Sequence, residues 1–272
     1  MTTDDSAKVY LETALSAAHA AGKVLLEMQG HCAWREKRPA DLVTEADTTV
    51  QKIVADILLT QWPEHAFIGE EAIGMRQLAE SECGSGATKE LPLTWIVDPL
   101  DGTTNFVHQF PMFCTSIALA QGNDLLCAVV YNPVTGECFT ASRGGGAFVN
   151  GQAIHVSRVT RPAESLTSFS LPPQVTASDP EFIDFMKIIS FQQAMRRTGS
   201  TALNLAFVAA GRLDIAVCRQ AHPWDVAAGA LLVQEAGGLL CHPDGQPFDL
   251  GRAGTLATAT AELQQAVIDK LK

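Results

Sequence analysis

Several absences bound this 272-residue sequence before any motif is read. No apolar run reaches the roughly 18 to 20 residues that cross a bilayer. The first ten residues, MTTDDSAKVY, carry two acids where a secretory leader needs a cationic stretch and an apolar block. The expectation is a soluble, cytoplasmic protein with no membrane partner. Basic residues are scarce: 19 Lys and Arg stand against 30 Asp and Glu, for a formal net charge of -11. That balance lacks the basic footprint of nucleic-acid binding and argues against an anionic membrane surface. Phosphate chemistry stays open, because bound metal ions reverse the sign of a local field. There is no C-x-x-C pair. The seven cysteines (Cys32, Cys83, Cys114, Cys127, Cys138, Cys218 and Cys241) are odd in number and scattered, which fits reduced, partly buried thiols better than a disulfide framework. No repeat of roughly 20 to 50 residues is visible, so solenoids and propellers are out.

What is present is apolar: 47% of residues are hydrophobic and 18% charged, ample for a large core. A single domain is expected over 1–272, built of two halves that divide near residue 160. From about Asp5 to Met28, Val9, Leu11, Leu15, Ala18, Val24, Leu25 and Met28 recur at helical spacing, with Gly30 as a stop signal. HCAWREKRPADLV reads as a loop or short hairpin. TEADTTVQKIVADILLTQW resumes the helical period until Pro63 ends it. HAFIGEEAIG is a short strand running into two glutamates, and MRQLAESECGSGATKE an exposed connection. The runs CTSIALA, LLCAVVY and CFTAS, followed by AFVNGQAIHVS with its Asn-Gly pair, predict an antiparallel sheet. Beyond Arg161 strands and helices alternate. STALNLAFVAAG and WDVAAGALLVQEAGG read as buried helices capped by Gly211 and Gly237, and the chain closes with a strand and a helix. RGGGAFVNG lacks the glycine spacing and strand-turn-helix setting of a dinucleotide loop and is read as a hairpin approach.

Three acidic places share one trait: each sits where an apolar strand ends or a buried helix begins. They are Glu70-Glu71 after FI, Asp98 and Asp101 after WIV, and Asp225 at the head of WDVAAGALL. Each alone has a plain explanation. Asp225 suits a helix N-terminus, worth about 0.3 to 1 kcal/mol; Glu70-Glu71 suits a solvated loop; Asp-Pro-x-Asp-Gly suits a turn. Together they are carboxylates at the ends of rigid elements, the oxygen donors that a hard cation such as Mg2+ requires. Gly102 permits close approach of the backbone to a ligand, and Thr103 and Thr104 begin a helical turn whose free N–H groups suit an anion.

DLVTEAD, FIGEE, WIVDPLDGTTNF, GGGAFVNG, GSTALN and WDVAAGALLVQEAGG resemble the inositol monophosphatase family, magnesium-dependent, lithium-sensitive phosphomonoesterases, over roughly Ala7 to Thr260. The resemblance implies an α+β and α/β layered sandwich of α-β-α-β-α layers, with the site between the halves. It implies that Glu70, Asp98, the Leu100 carbonyl, Asp101 and Asp225 hold two magnesium ions, a third and weaker one joining near Glu70. It also implies that Glu70 helps polarise a water, that Thr103 orients it and that Asp47 hydrogen-bonds near that threonine. Such a set answers the chemistry of phosphate monoesters, which repel nucleophiles and need metal ions to generate hydroxide and neutralise charge during in-line attack.

Gly102, Thr103 and Thr104 would then face the phosphate, and Gly199, Ser200, Thr201 and Cys218 the rest of the substrate. Relatives that handle inositol carry a glutamate seven residues before the WD aspartate, where this sequence has Cys218. Myo-inositol 1-phosphate is the reference substrate, and histidinol phosphate, sugar phosphates including fructose 1,6-bisphosphate, and 3'-phosphoadenosine 5'-phosphate stay in competition. Arg219 is either a partner for a second anionic group or a surface charge, and either Lys37 or Arg38 is the loop cation near the phosphate. Cys218 beside Arg219 is the one candidate for a redox-sensing thiol. A non-catalytic scaffold is the reading of another class, and the presence of every expected ligand argues against it. A homodimer is expected from the resemblance alone.

Overall fold

The computed structural model describes residues 3–38, 41–71 and 91–272. In chain order the elements are α1 (Thr3–Met28), the hairpin β1 (Trp34–Arg38) and β2 (Asp41–Thr44), α2 (Glu45–Gln61), β3 (Ala66–Gly69), β4 (Leu93–Asp101) and the short α3 (Thr103–Val107). Then come β5 (Cys114–Gln121), β6 (Asp124–Asn132), β7 (Glu137–Ser142), β8 (Gly146–Val149) and β9 (Gln152–Ala153). The second half holds β10 (Leu166–Ser170), α4 (Pro180–Ile189), β11 (Ala194–Arg196), α5 (Thr201–Ala209), β12 (Ile215–Cys218), α6 (Pro223–Glu235), β13 (Leu239–Cys241), β14 (Thr255–Thr258) and α7 (Ala261–Leu271). The connection MRQLAESECGSGATKE, with Cys83, lies outside the described residues.

Strands β3 to β9 form a seven-stranded sheet in sequence order, antiparallel except for the parallel β3–β4 pair. Its central strands β4, β5 and β6 are buried on both faces, and the period-two alternation sorts their side chains between two cores. Trp95, Val97, Ile117, Leu119, Cys127 and Val129 face α1 and α2. Ile96, Ala118, Ala120, Ala128 and Val130 face α5 and α6. Helix α1 meets the first face through Ala14, Ala17, Ala18, Ala21 and Leu25, a stripe at helical spacing whose small residues admit close approach. The second face is likewise rich in alanine.

Helices α5 and α6 form the central layer. On their far side lies a five-stranded sheet, order β11-β10-β12-β14-β13, and beyond it α4 and α7, joined to it through Phe169, Ile188, Ile215, Val217, Leu256, Leu263 and Val267. The architecture is therefore α-β-α-β-α, as the resemblance implies. At the middle of it, Gly229 of α6 leaves no room for a side chain: a Cβ there would collide with Leu205 of α5. Asn150 and Gly151 close the β8–β9 hairpin with positive φ at both turn positions, 48° and 78°, as an Asn-Gly hairpin requires.

Candidate active site

The acidic side chains reach one region because four separate elements end there. Strand β4 supplies two of them by means of a bulge. Asp98 pairs with Ser116 and Asp101 with Cys114, so the two residues Pro99 and Leu100 face the single Thr115. Residues three apart on a regular strand point to opposite faces; the extra residue cancels that alternation and leaves Asp98 and Asp101 within electrostatic reach of each other. Asp98 is buried and accepts the Leu100 N–H at 3.0 Å.

Asp101 is seated on the start of α5. Its Oδ2 accepts the Ser200 hydroxyl at 2.7 Å and the Ala202 N–H at 2.6 Å, and its Oδ1 the Thr201 N–H at 3.3 Å. The free N–H groups of a helix N-terminus favour an anion, and here the anion is a side chain of the other half. Ser200 in turn caps α5 by accepting the Leu203 N–H. Its hydroxyl is thus engaged with Asp101 and the helix, which makes its contribution one of holding Asp101.

Asp47 and Asp225 are each the third residue of a helix and each reaches back to close it. Asp47 Oδ2 accepts the Thr44 N–H at 2.7 Å, and Asp225 Oδ2 accepts the His222 N–H at 2.7 Å. The other oxygen of Asp47 lies 3.1 Å from Thr103 Oγ1, which also stands 3.1 Å from the Leu100 carbonyl. Gly102 opens α3 with φ of 93°, and a Cβ there would come within 2.8 Å of the Met112 carbonyl, so the turn needs glycine.

Glu70 and Glu71 follow β3, and the buried Gln51 of α2 fixes their backbone. Its amide accepts the Glu71 N–H at 2.8 Å and donates to the Glu71 carbonyl at 2.6 Å. Lys37 of β1 pairs with both glutamates, at 3.0 Å from Glu70 and in close contact with Glu71. Burial pulls the Lys37 ammonium toward neutrality, but Glu70 and Glu71 outweigh it and hold Lys37 charged. Lys37 is therefore the hairpin cation with described contacts at the site; the side chain of Arg38 lies outside the described residues.

Burial pushes Asp98 well above the usual carboxylate range, and Glu70, Asp101 and Asp225 all add to the push. Burial raises Asp101 and Asp47 to about 6, and raises Asp225 to about 8 with Asp101 as the next cause. Among the described residues no three Asp, Glu, His or Cys side chains form a ready-made ion cage. The donor set nonetheless fits a hard divalent cation: all its atoms are oxygens, and a cation removes the desolvation and repulsion that now suppress ionisation.

Beside the carboxylates opens a cavity of about 450 Å³. Glu70, Asp101 and Asp225 stand at one end, and Ser170, Thr201, Cys218 and Gln220 line the remainder with Trp224. A second chamber, of about 560 Å³, adjoins it through Ser170, Leu171, Pro173 and Thr201, and is lined by Thr104 and Gly199. Cys218 thus faces the cavity as expected from its sequence position. Burial pushes its thiol up to about 12, with Asp225 adding to the shift, which favours the neutral thiol over the reactive thiolate. Arg219 does not reach the substrate region as a free cation. It is paired with the buried Asp184 of α4, which also lies 3.6 Å from Lys187. Gln51, Ser170, Gln220 and the acids of α4 are contributors that the sequence reading did not single out; for Asp47, the Thr-x-x-Asp spacing of a capping box was a signal in plain view.

The model of the inositol monophosphatase family matches residues 6–272. The chain is 39% identical to inositol monophosphatase 2 of Solanum lycopersicum, over 96% of this chain and 97% of that one. It is 38% identical to the inositol-1-monophosphatase of Synechocystis sp., over 96% and 89%. The crystal structure of the extragenic suppressor protein suhB from Bartonella henselae superposes with a TM-score of 0.85 at 32% identity, covering 96% of this chain and 97% of that one. On sequence and fold together, the chain belongs to the inositol monophosphatase family, a family of phosphomonoesterases.

Proposed function

We propose that this protein hydrolyses a small phosphate monoester of the inositol 1-phosphate kind, by in-line attack of water on phosphorus. The observation that carries the reading is the convergence of Glu70, Asp98, Asp101 and Asp225 beside a cavity of about 450 Å³, next to the Thr103–Asp47 pair. Glu70, Asp98, the Leu100 carbonyl, Asp101 and Asp225 would hold two magnesium ions, with a third and weaker one near Glu70. When bound, magnesium supplies an acidified water and neutralises charge on the phosphoryl and leaving oxygens.

The chain's own residues do the rest. Asp47, raised to about 6 by burial, is ionised at neutral pH and accepts the hydrogen bond of the Thr103 hydroxyl. That leaves the lone pairs of Thr103 Oγ1 to accept from, and so orient, the attacking water. Gly102, Thr103 and Thr104 flank the phosphate, and Gly199, Thr201 and Cys218 flank the alcohol portion. The same reading carries lithium sensitivity, a homodimer and a cytoplasmic setting.

The test is phosphate release from myo-inositol 1-phosphate, histidinol phosphate, fructose 1,6-bisphosphate and 3'-phosphoadenosine 5'-phosphate, with magnesium and with a chelator, for the natural chain and for Asp98→Asn. Magnesium-dependent turnover that disappears in a folded Asp98→Asn protein is expected. Turnover by that variant near the natural rate would overturn the ligand assignment, and no turnover of any monoester would overturn the function.

A further inference from the structure

The segment after β12 turns two neighbouring side chains in different ways, and α4 is the reason. Asp184 of α4, buried, takes Arg219. Glu181, one turn earlier on the same helix and also buried, accepts the side-chain amide of Gln220. Gln220 lines the cavity beside the carboxylates. The other arginine near the chambers, Arg197, lines the second one and donates to the carbonyls of Leu171 at 3.3 Å and Pro172 at 3.0 Å. Beyond the carboxylates, the cavity wall of Ser170, Thr201, Cys218 and Gln220 is neutral, and His222 stands exposed at the rim, stacked on Trp224.

Because Glu181 is acceptor-only when ionised, it fixes which end of the Gln220 amide it meets. The nitrogen goes to Glu181, and the carbonyl oxygen is left as an acceptor. We propose that Gln220, oriented by Glu181, binds a hydroxyl of the alcohol portion of the substrate, and that this neutral contact sets the specificity of the site. The inference rests on the phosphomonoesterase reading above. It makes Gln220 a binding residue and Glu181 a positioning residue.

The experiment compares myo-inositol 1-phosphate with 4-nitrophenyl phosphate, whose leaving group carries no hydroxyl, both with magnesium. In Gln220→Leu the KM for inositol 1-phosphate is expected to rise about tenfold with kcat little changed, as loss of one neutral hydrogen bond made equally in ground and transition states requires. Turnover of 4-nitrophenyl phosphate stays within about twofold by the same argument. Glu181→Leu is expected to show the same selectivity to a smaller degree. Because the ratio of two substrates is read in one preparation, loss of folded protein cancels. Equal losses on both monoesters, or no change on either, would overturn the role of Gln220. If the natural enzyme hydrolyses neither of these nor any monoester of the panel above, the phosphomonoesterase reading itself fails and this inference goes with it.

Discussion

Asp101 at the end of β4 receives the hydroxyl of Ser200 at the head of α5, 2.7 Å away and 99 residues later in the chain. One hydrogen bond thereby joins the last residue of a strand in the first half to the first turn of a helix in the second.

Ser200→Ala removes both that bond and the cap of α5. Loss of an N-cap of this kind costs about 1 to 2 kcal/mol, and urea denaturation should show it. The Ser200 hydroxyl also holds the Asp101 carboxyl down against burial. The magnesium concentration for half-maximal activity is therefore expected to rise several-fold, and an unchanged magnesium dependence would dissociate Ser200 from the site.

The raised carboxylates make a prediction about the metal-free protein. Asp225 sits at about 8, and Asp101 and Asp47 at about 6, against an ordinary value of 3.8. Between these limits the folded protein holds protons that the unfolded chain has released, so stability falls as pH rises through that window. With chelator present, Tm is expected to drop by about 5 °C or more between pH 5 and pH 8, the size that ~2 kcal/mol gives in a chain of this length. Magnesium should restore it at pH 8 more than at pH 5. A chelated protein that gains stability over the same range would contradict the electrostatic account.

Gly229→Ala places a methyl group against Leu205 where α6 crosses α5. Overpacking of this kind costs about 1 to 3 kcal/mol, so a fall in the denaturation midpoint at unchanged m-value is expected. Enlarging the space with Leu205→Ala in the same chain should recover part of the loss, because the two sites share one contact.

Cys218 faces the cavity, but burial holds its thiol near 12. Iodoacetamide at pH 8 is expected to leave Cys218 unmodified in the folded protein and to alkylate it after denaturation, as peptide mass spectrometry would show. Rapid labelling of the native state would favour the redox-sensing reading of Cys218.

Much of this fold is legible because its first half repeats simple periods. The alanine and leucine stripe of α1, the alternating strands β5 to β8 and the Asn-Gly turn each announce their element locally. The carboxylates were legible too, since each ends a rigid run. What the sequence hides is long-range: Gln51 binds Glu71 twenty residues away, and Glu181 meets Gln220 across 39. A glutamine in a helix looks like any solvated polar residue until the partner arrives. Arg219 misleads for the same reason, because only the fold brings Asp184 to it. Helix α4, short and without a motif, nonetheless sets the two residues that follow Cys218, Arg219 and Gln220.

Helix α5 seats Asp101, and α6 carries Asp225. The separation of these two carboxylates is therefore governed by the spacing of two helices in contact over Gly229. Core packing responds to fractions of an ångström, while helical backbone signals do not. On slow heating, activity should vanish at a temperature where circular dichroism still reports an intact protein. Excluded osmolytes such as sucrose, which tighten burial, should narrow the gap between thermal inactivation and melting.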